Sequence, residues 1–103
     1  MDLNNEAAKI MGYEFENLVA WVPTSKKHLK QFPIYPWNPI EDLGQCFAVV
    51  EKIGGYCFDL CDYVGPDIWY ASFFDEAAEY RYEGSGKTPN EAILKAAIKA
   101  VAD

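Results

Sequence analysis

The chain has little of what most enzymes and metalloproteins need. It holds one histidine and three cysteines among 103 residues. No catalytic, metal-binding or phosphate-binding motif is present. The three cysteines, an odd number, argue against a disulfide framework. Cys57 and Cys61 fall four apart on a predicted strand, which puts them on one face but about 13 Å apart. That exceeds the roughly 7 Å between Cα atoms that a disulfide tolerates, and it keeps the pair from sharing one zinc ion. Cys46 falls in a predicted helix and reads as a small buried hydrophobe. The lone histidine, His28, lies among lysines and reads as solvated surface.

Long apolar runs are missing too. The run from Ile53 to Leu60 is broken by glycines and Asp59, and Ile98–Ala102 is broken by Lys99. Neither approaches the roughly 20 residues of a membrane-spanning helix. The opening Met-Asp-Leu-Asn-Asn-Glu is acidic and lacks the basic start and apolar stretch of a signal peptide. The expectation is a soluble, cytoplasmic protein with no membrane partner.

What is present is a dense apolar and aromatic complement. Half the residues are hydrophobic and 16% are aromatic, enough for one compact core in a single domain spanning 1–103. Net charge is −7. Residues 1–38 carry four lysines and four acids, so the whole imbalance belongs to residues 39–103. An acidic body repels phosphate backbones, which makes nucleic acid an unlikely partner, and it favours encounter with basic ones.

Taken in order, Asn4 or Asn5 can cap a short amphipathic helix that Gly12 stops. Residues 13–38 carry Pro23, Pro33 and Pro36, and read as an irregular aromatic segment lying across the body, with a short strand at Leu18–Val22. Asn38-Pro39-Ile40-Glu41 predicts the start of a second helix with Ile40, Leu43, Cys46, Phe47, Val50 and Ile53 on its inner face, and Gly54-Gly55 ends it. Strands follow at Tyr56–Val64, Trp69–Phe74 and Glu79–Glu83, joined by short connections into an antiparallel meander. Gly84-Ser85-Gly86 reads as a flexible turn, since it lacks the Gly-Lys-Ser/Thr ending of a phosphate loop. Thr88 caps a last, alanine-rich helix, with Glu91 three residues on.

The middle strand organises this scheme. Tyr70, Ser72 and Phe74 alternate with Trp69, Ala71 and Phe73, so both faces look apolar and need cover. The predicted fold is therefore α+β, a three-layer α-β-α sandwich around a three-stranded antiparallel meander. Its core order is helix–strand–strand–strand–helix over 39–103, preceded by the N-terminal helix and aromatic segment. The two longer helices are expected on one face, and residues 1–38, or the second subunit of a homodimer, over Trp69 and Phe73. Asp59, Asp62, Asp67, Asp75 and Glu76 raise a two-carboxylate mechanism, but most sit where aspartate builds turns. No catalytic residue, metal ligand or cofactor is assigned, and the chain is not expected to be an enzyme. Candidate partner-binding residues are Tyr35, Trp37 and Trp69, because large aromatics dominate binding hot spots. Core packing is the competing reading for each.

Three resemblances bear on function. The helix–strand–strand–strand–helix order is that of double-stranded-RNA-binding domains, but Gly84–Glu91 offers one lysine where those domains need several. Trp69-Tyr-Ala-Ser-Phe, Tyr80…Gly84 and Thr88-Pro89-Asn90-Glu91-Ala92-Ile93 resemble the HicB-type antitoxin pattern over the last third. Nearly end to end, the chain resembles the phage ABA sandwich domain family. The residues that carry this are Ala8–Tyr13 with its Met-Gly-aromatic, Trp21-Val22-Pro23, Phe32-Pro33-Ile34-Tyr35, Cys46–Ile53 ending in Val-Val-Glu-Lys-Ile, and Thr88-Pro89 with its alanine helix. Asn90-Glu91 and the acidic middle depart from that pattern. The resemblance implies a three-layer fold of helices around a small sheet, in a phage or prophage protein of a bacterial host cell. The expected function is that of a non-enzymatic accessory protein that binds an unidentified protein, such as a host factor or defence system. The alternative is an antitoxin half that neutralises a small basic toxin, and RNA binding ranks third.

Overall fold

The computed structural model describes residues 2–17, 19–23, 30–34, 36–65 and 68–102. The chain is α+β, with helices α1 (Leu3–Met11), α2 (Leu43–Ile53) and α3 (Pro89–Ala102). Strands are β1 (Glu14–Glu16), β2 (Val19–Pro23), β3 (Lys30–Ile34), β4 (Cys57–Gly65), β5 (Ile68–Asp75) and β6 (Tyr80–Gly86). They form two antiparallel sheets, ordered β1-β2-β3 and β4-β5-β6. The second is the predicted meander, so the αβββα order of the body holds.

Local chemistry sets where the helices begin. Asp2, not Asn4 or Asn5, caps α1, its carboxylate accepting from the Asn4 and Asn5 N–H groups. The predicted start of α2 at Asn38 is four residues early. Residues 39–41 form a turn in which the Asn38 carbonyl accepts from Glu41 and Asp42, and Asp42 is the cap. Thr88 caps α3 as expected, its hydroxyl accepting from the Glu91 N–H at 3.1 Å.

Residues 13–38 are more regular than their prolines suggest. Pro33 sits in β3, an edge strand whose outer side asks for no amide hydrogen, and Pro23 marks the bulge that ends β2. Val19–Pro23, rich in β-branched and aromatic residues, pairs with Glu14–Glu16 on one side and Lys30–Ile34 on the other, with Trp21 opposite both Glu14 and Pro33.

Glycines 84 and 86, expected in a turn, lie inside β6. A Cβ at Gly84 would come within 2.5 Å of the Ala92 carbonyl oxygen and the Ala96 nitrogen. Gly84, with Ala92 and Ala96 opposite, therefore lets α3 lie directly on the strand. The glycines serve close approach rather than flexibility.

Helix α3 is the hub. It packs on β5 and β6, against α2 and against α1. Its buried residues include Ala92, Ile93, Leu94, Ala96, Ala97 and Ala100. Val101, near its end, is exposed. In α2 the buried positions are Cys46 and Val49, and the predicted inner residues Leu43 and Phe47 lie largely exposed.

The expected placement of residues 1–38 over the sheet needs correction. Trp69, Ala71 and Phe73 share their face with Gly84, Gly86 and Tyr82, and that is the face α3 covers. Phe58 and Phe73 meet there at 5.1 Å, with Phe47 of α2 edge-on to Phe58 at 6.0 Å. Helix α1 rests on α3 and α2, and β1 rests on α1. A layer already covered by helices leaves nothing for residues 1–38 to shield at Trp69 and Phe73.

Candidate interaction face

Strand register places nine side chains on the other face of the meander, in three rows. Cys57, Phe74 and Arg81 form one; Asp59, Ser72 and Glu83 the next; Cys61, Tyr70 and Ser85 the third. Among the described residues no helix or strand lies over them. Cys57, Asp59, Arg81, Glu83 and Ser85 are exposed, while Cys61, Tyr70 and Phe74 are half-buried. A sheet with one packed and one solvated face is the ordinary antiparallel solution.

The face is internally organised. Arg81 donates from Nη1 to the Ser72 hydroxyl at 2.9 Å and lies 5.2 Å from the centre of the Phe74 ring. It thus covers Ser72, which is fully buried, and makes a cation–π contact with Phe74. Partial burial raises the Tyr70 pKa, and a hydrogen bond to the Glu83 carboxylate adds to the rise. The Cys57 thiol lies 3.1 Å from Glu76 Oε1. That hydrogen bond and the nearby negative charge raise its pKa, which disfavours the thiolate. Asp75, among the acids weighed for catalysis, builds the β5–β6 turn, its carboxylate accepting from the Ala77 and Ala78 N–H groups.

Two of the three aromatic candidates, Trp37 and Trp69, lie elsewhere. Trp37 is 2% exposed, donates from its indole to the Asn4 carbonyl at 2.9 Å and meets Tyr13 edge-on at 5.4 Å. Such a residue holds the core and presents no surface. Trp69 is half-buried on the helix-covered face and packs against the core. Tyr35 lies outside the described residues, as do His28 and Asp67. The structure brings neither Trp37 nor Trp69 onto the open face.

Two asparagines matter more than the sequence indicates. Asn4 donates to the Asn38 side chain at 2.9 Å and accepts from the Ile40 N–H at 3.0 Å, pinning α1 to the approach to α2. Asn90 donates to the Pro39 carbonyl at 2.8 Å from a buried position, joining α3 to the same approach. Pro39 followed by a short turn is the only sequence signal of a backbone carbonyl in need of a partner there.

A groove of about 720 Å³ runs beside α3, lined by Leu3, Ser85, Glu91, Lys95, Ile98 and Lys99. Lys95 and Glu91 close on each other across one helical turn at 2.8 Å. The lysine hydrogen bond holds the Glu91 carboxyl below the usual range. Two of the groove's charged groups are thus engaged with each other. Among the described residues, no three or more His, Cys, Asp and Glu side chains cluster as a metal site would, and no helix is long and apolar enough to cross a membrane.

The family model of the phage ABA sandwich domain matches residues 7–98. The chain belongs to the phage ABA sandwich domain family. The match takes in α1 from Ala7, both sheets, α2 and most of α3. The membership expected from Ala8–Tyr13, Cys46–Ile53 and the closing helix is therefore correct. No curated protein and no solved structure matches the chain. Family membership points to a phage accessory protein and carries no activity with it.

Proposed function

We propose that this phage ABA sandwich protein is a non-enzymatic accessory protein that acts by binding another protein, with the open face of the β4-β5-β6 sheet as its contact surface. The observation that carries this reading is the asymmetry of the meander. One face is packed under α3, while the other is uncovered among the described residues and presents Tyr70, Phe74 and Arg81. Tyrosine and arginine are enriched at binding hot spots, and aromatic residues at interfaces generally. A face built on a rigid sheet also loses little conformational entropy on binding.

The cysteine chemistry supports binding over catalysis. Burial pushes the Cys46 thiol up to about 12, and Glu76 raises the pKa of Cys57. Both shifts run against the lowered pKa that a nucleophilic cysteine requires.

Affinity capture from a phage-infected bacterial lysate tests the reading, with wild type and Tyr70→Ala/Phe74→Ala run in parallel and circular dichroism confirming equal folding. The expected result is a protein retained by wild type and lost from the variant. Equal retention by both, or no specific partner for either, counts against the proposal.

A further inference from the structure

Resting on that reading, we infer that the open face takes a lysine- or arginine-rich segment of its protein partner, bound through the acids that flank Ser72. The middle row of the face places Asp59 and Glu83 on either side of Ser72, and Glu76 adds a carboxylate beside Cys57 at one end. Against these three acids the face carries one cation, Arg81, which already lies over Ser72 and Phe74. The described lysines sit on other elements: Lys9 on α1, Lys30 on β3, Lys52 on α2, Lys95 and Lys99 on α3, and Lys87 before it. Acids thus outnumber cations on the open sheet face, and the described lysines belong to elements outside that sheet. A basic segment is steered toward the acidic side and away from the lysines.

Size separates this occupant from a second copy of the chain. Strands about 4.8 Å apart and alternate residues about 6.7 Å apart give Cα positions spanning about 10 Å by 13 Å. With side-chain margins that is a few hundred Å², below the roughly 800 Å² per partner of a stable protein complex. Two such faces meeting would also oppose Asp59 and Glu83 with their own copies in chains of net charge −7 each. A short cationic segment fits both the area and the charge. Its methylene stems can lie on Tyr70 and Phe74 while its charges reach the carboxylates.

The probe is a fluorescein-labelled twelve-residue peptide of alternating lysine and threonine, followed by anisotropy at about 20 mM and about 150 mM salt, where charge screening differs strongly. It is titrated against wild type, Asp59→Asn/Glu83→Gln, and Glu41→Gln/Glu51→Gln. The last pair removes the same charge from exposed positions outside the face. The expected result is binding that falls about tenfold or more in Asp59→Asn/Glu83→Gln, the equivalent of about 1.4 kcal/mol, and stays within about twofold in the control. No binding at low salt, or equal loss in both variants, overturns the inference. So does a dimer in sedimentation that dissociates in Asp59→Asn/Glu83→Gln, since that assigns the face to a second copy. An acidic or uncharged partner captured through Tyr70 and Phe74 overturns the basic segment and leaves the binding reading standing.

Discussion

At the scale of single residues, Gly84 shows how little space separates α3 from the sheet. The Cβ of an alanine there would meet backbone atoms of Ala92 and Ala96 at 2.5 Å, and neither can move without displacing the helix. At Gly86 the nearest atoms are Glu91 Cγ and Cδ at 2.6 Å, which can rotate aside, and Glu91 Cβ at 2.7 Å, which is fixed to the helix. Gly84→Ala is therefore expected to lower unfolding free energy by about 3 kcal/mol, the upper range for overpacking, and Gly86→Ala by a smaller amount, about 1–2 kcal/mol. Urea denaturation of both variants checks this, and a Gly84→Ala loss below about 1 kcal/mol would remove the close-approach explanation. Trp37 belongs to the same scale. As an aromatic between prolines it could serve core or surface, and only its burial and its bond to Asn4 decide for the core.

At the scale of elements, the helix starts divide into those legible locally and those set by neighbours. Thr88 with Glu91 is a local signal, and the Thr88 hydroxyl bond is present. Thr88→Ala is expected to lower the unfolding free energy by about 1 kcal/mol, as lost N-caps do, measured by urea denaturation. Thr88→Asp should restore it, since either side chain can accept from the Glu91 N–H. The start of α2 is not local. Asn38 looks like a cap, yet its side chain accepts from Asn4 and its N–H donates to Gln45 Oε1. Those contacts hold residues 38–41 as a turn and pass the capping role to Asp42. The strand in Gly84–Gly86 was hidden for a related reason. Glycine in a sequence suggests a turn, while its use as a contact surface depends on a helix that arrives later in the chain.

At the scale of the whole molecule, α3 is the shared support of the sheet, α2 and α1. Cys46 sits at the α2 side of that core, fully buried, with its thiol 3.8 Å from the Asn90 carbonyl oxygen. Burial raises its pKa from 9.0 to about 12. A group whose folded pKa is raised keeps its stabilising effect below the unfolded pKa and loses it as pH climbs toward the folded one. The window here is therefore pH 9 to about 12, and the loss approaches about 1.4 kcal/mol per pH unit within it. Between pH 8 and 10.5, wild type is expected to lose about 2 kcal/mol more stability than Cys46→Ala, which is less stable at pH 8 but has no thiol to ionise. Parallel pH dependence in the two proteins would show that the thiol does not titrate on unfolding.

The sequence by itself determined the class, the meander, the cap of α3 and the family, because these rest on local periodicity, capping chemistry and recurring residue patterns. Tyr70, Ser72 and Phe74 opposite Trp69, Ala71 and Phe73 also showed a strand with two faces. Which of them would be covered was beyond reach, since both look apolar when β5 is read alone. The tertiary structure decided it through Gly84, which lets α3 close over Trp69, Ala71 and Phe73. Asp59, Arg81 and Glu83, contributed by the neighbouring strands, make the opposite face polar enough to meet water, and so leave Tyr70 and Phe74 half-buried on that open face.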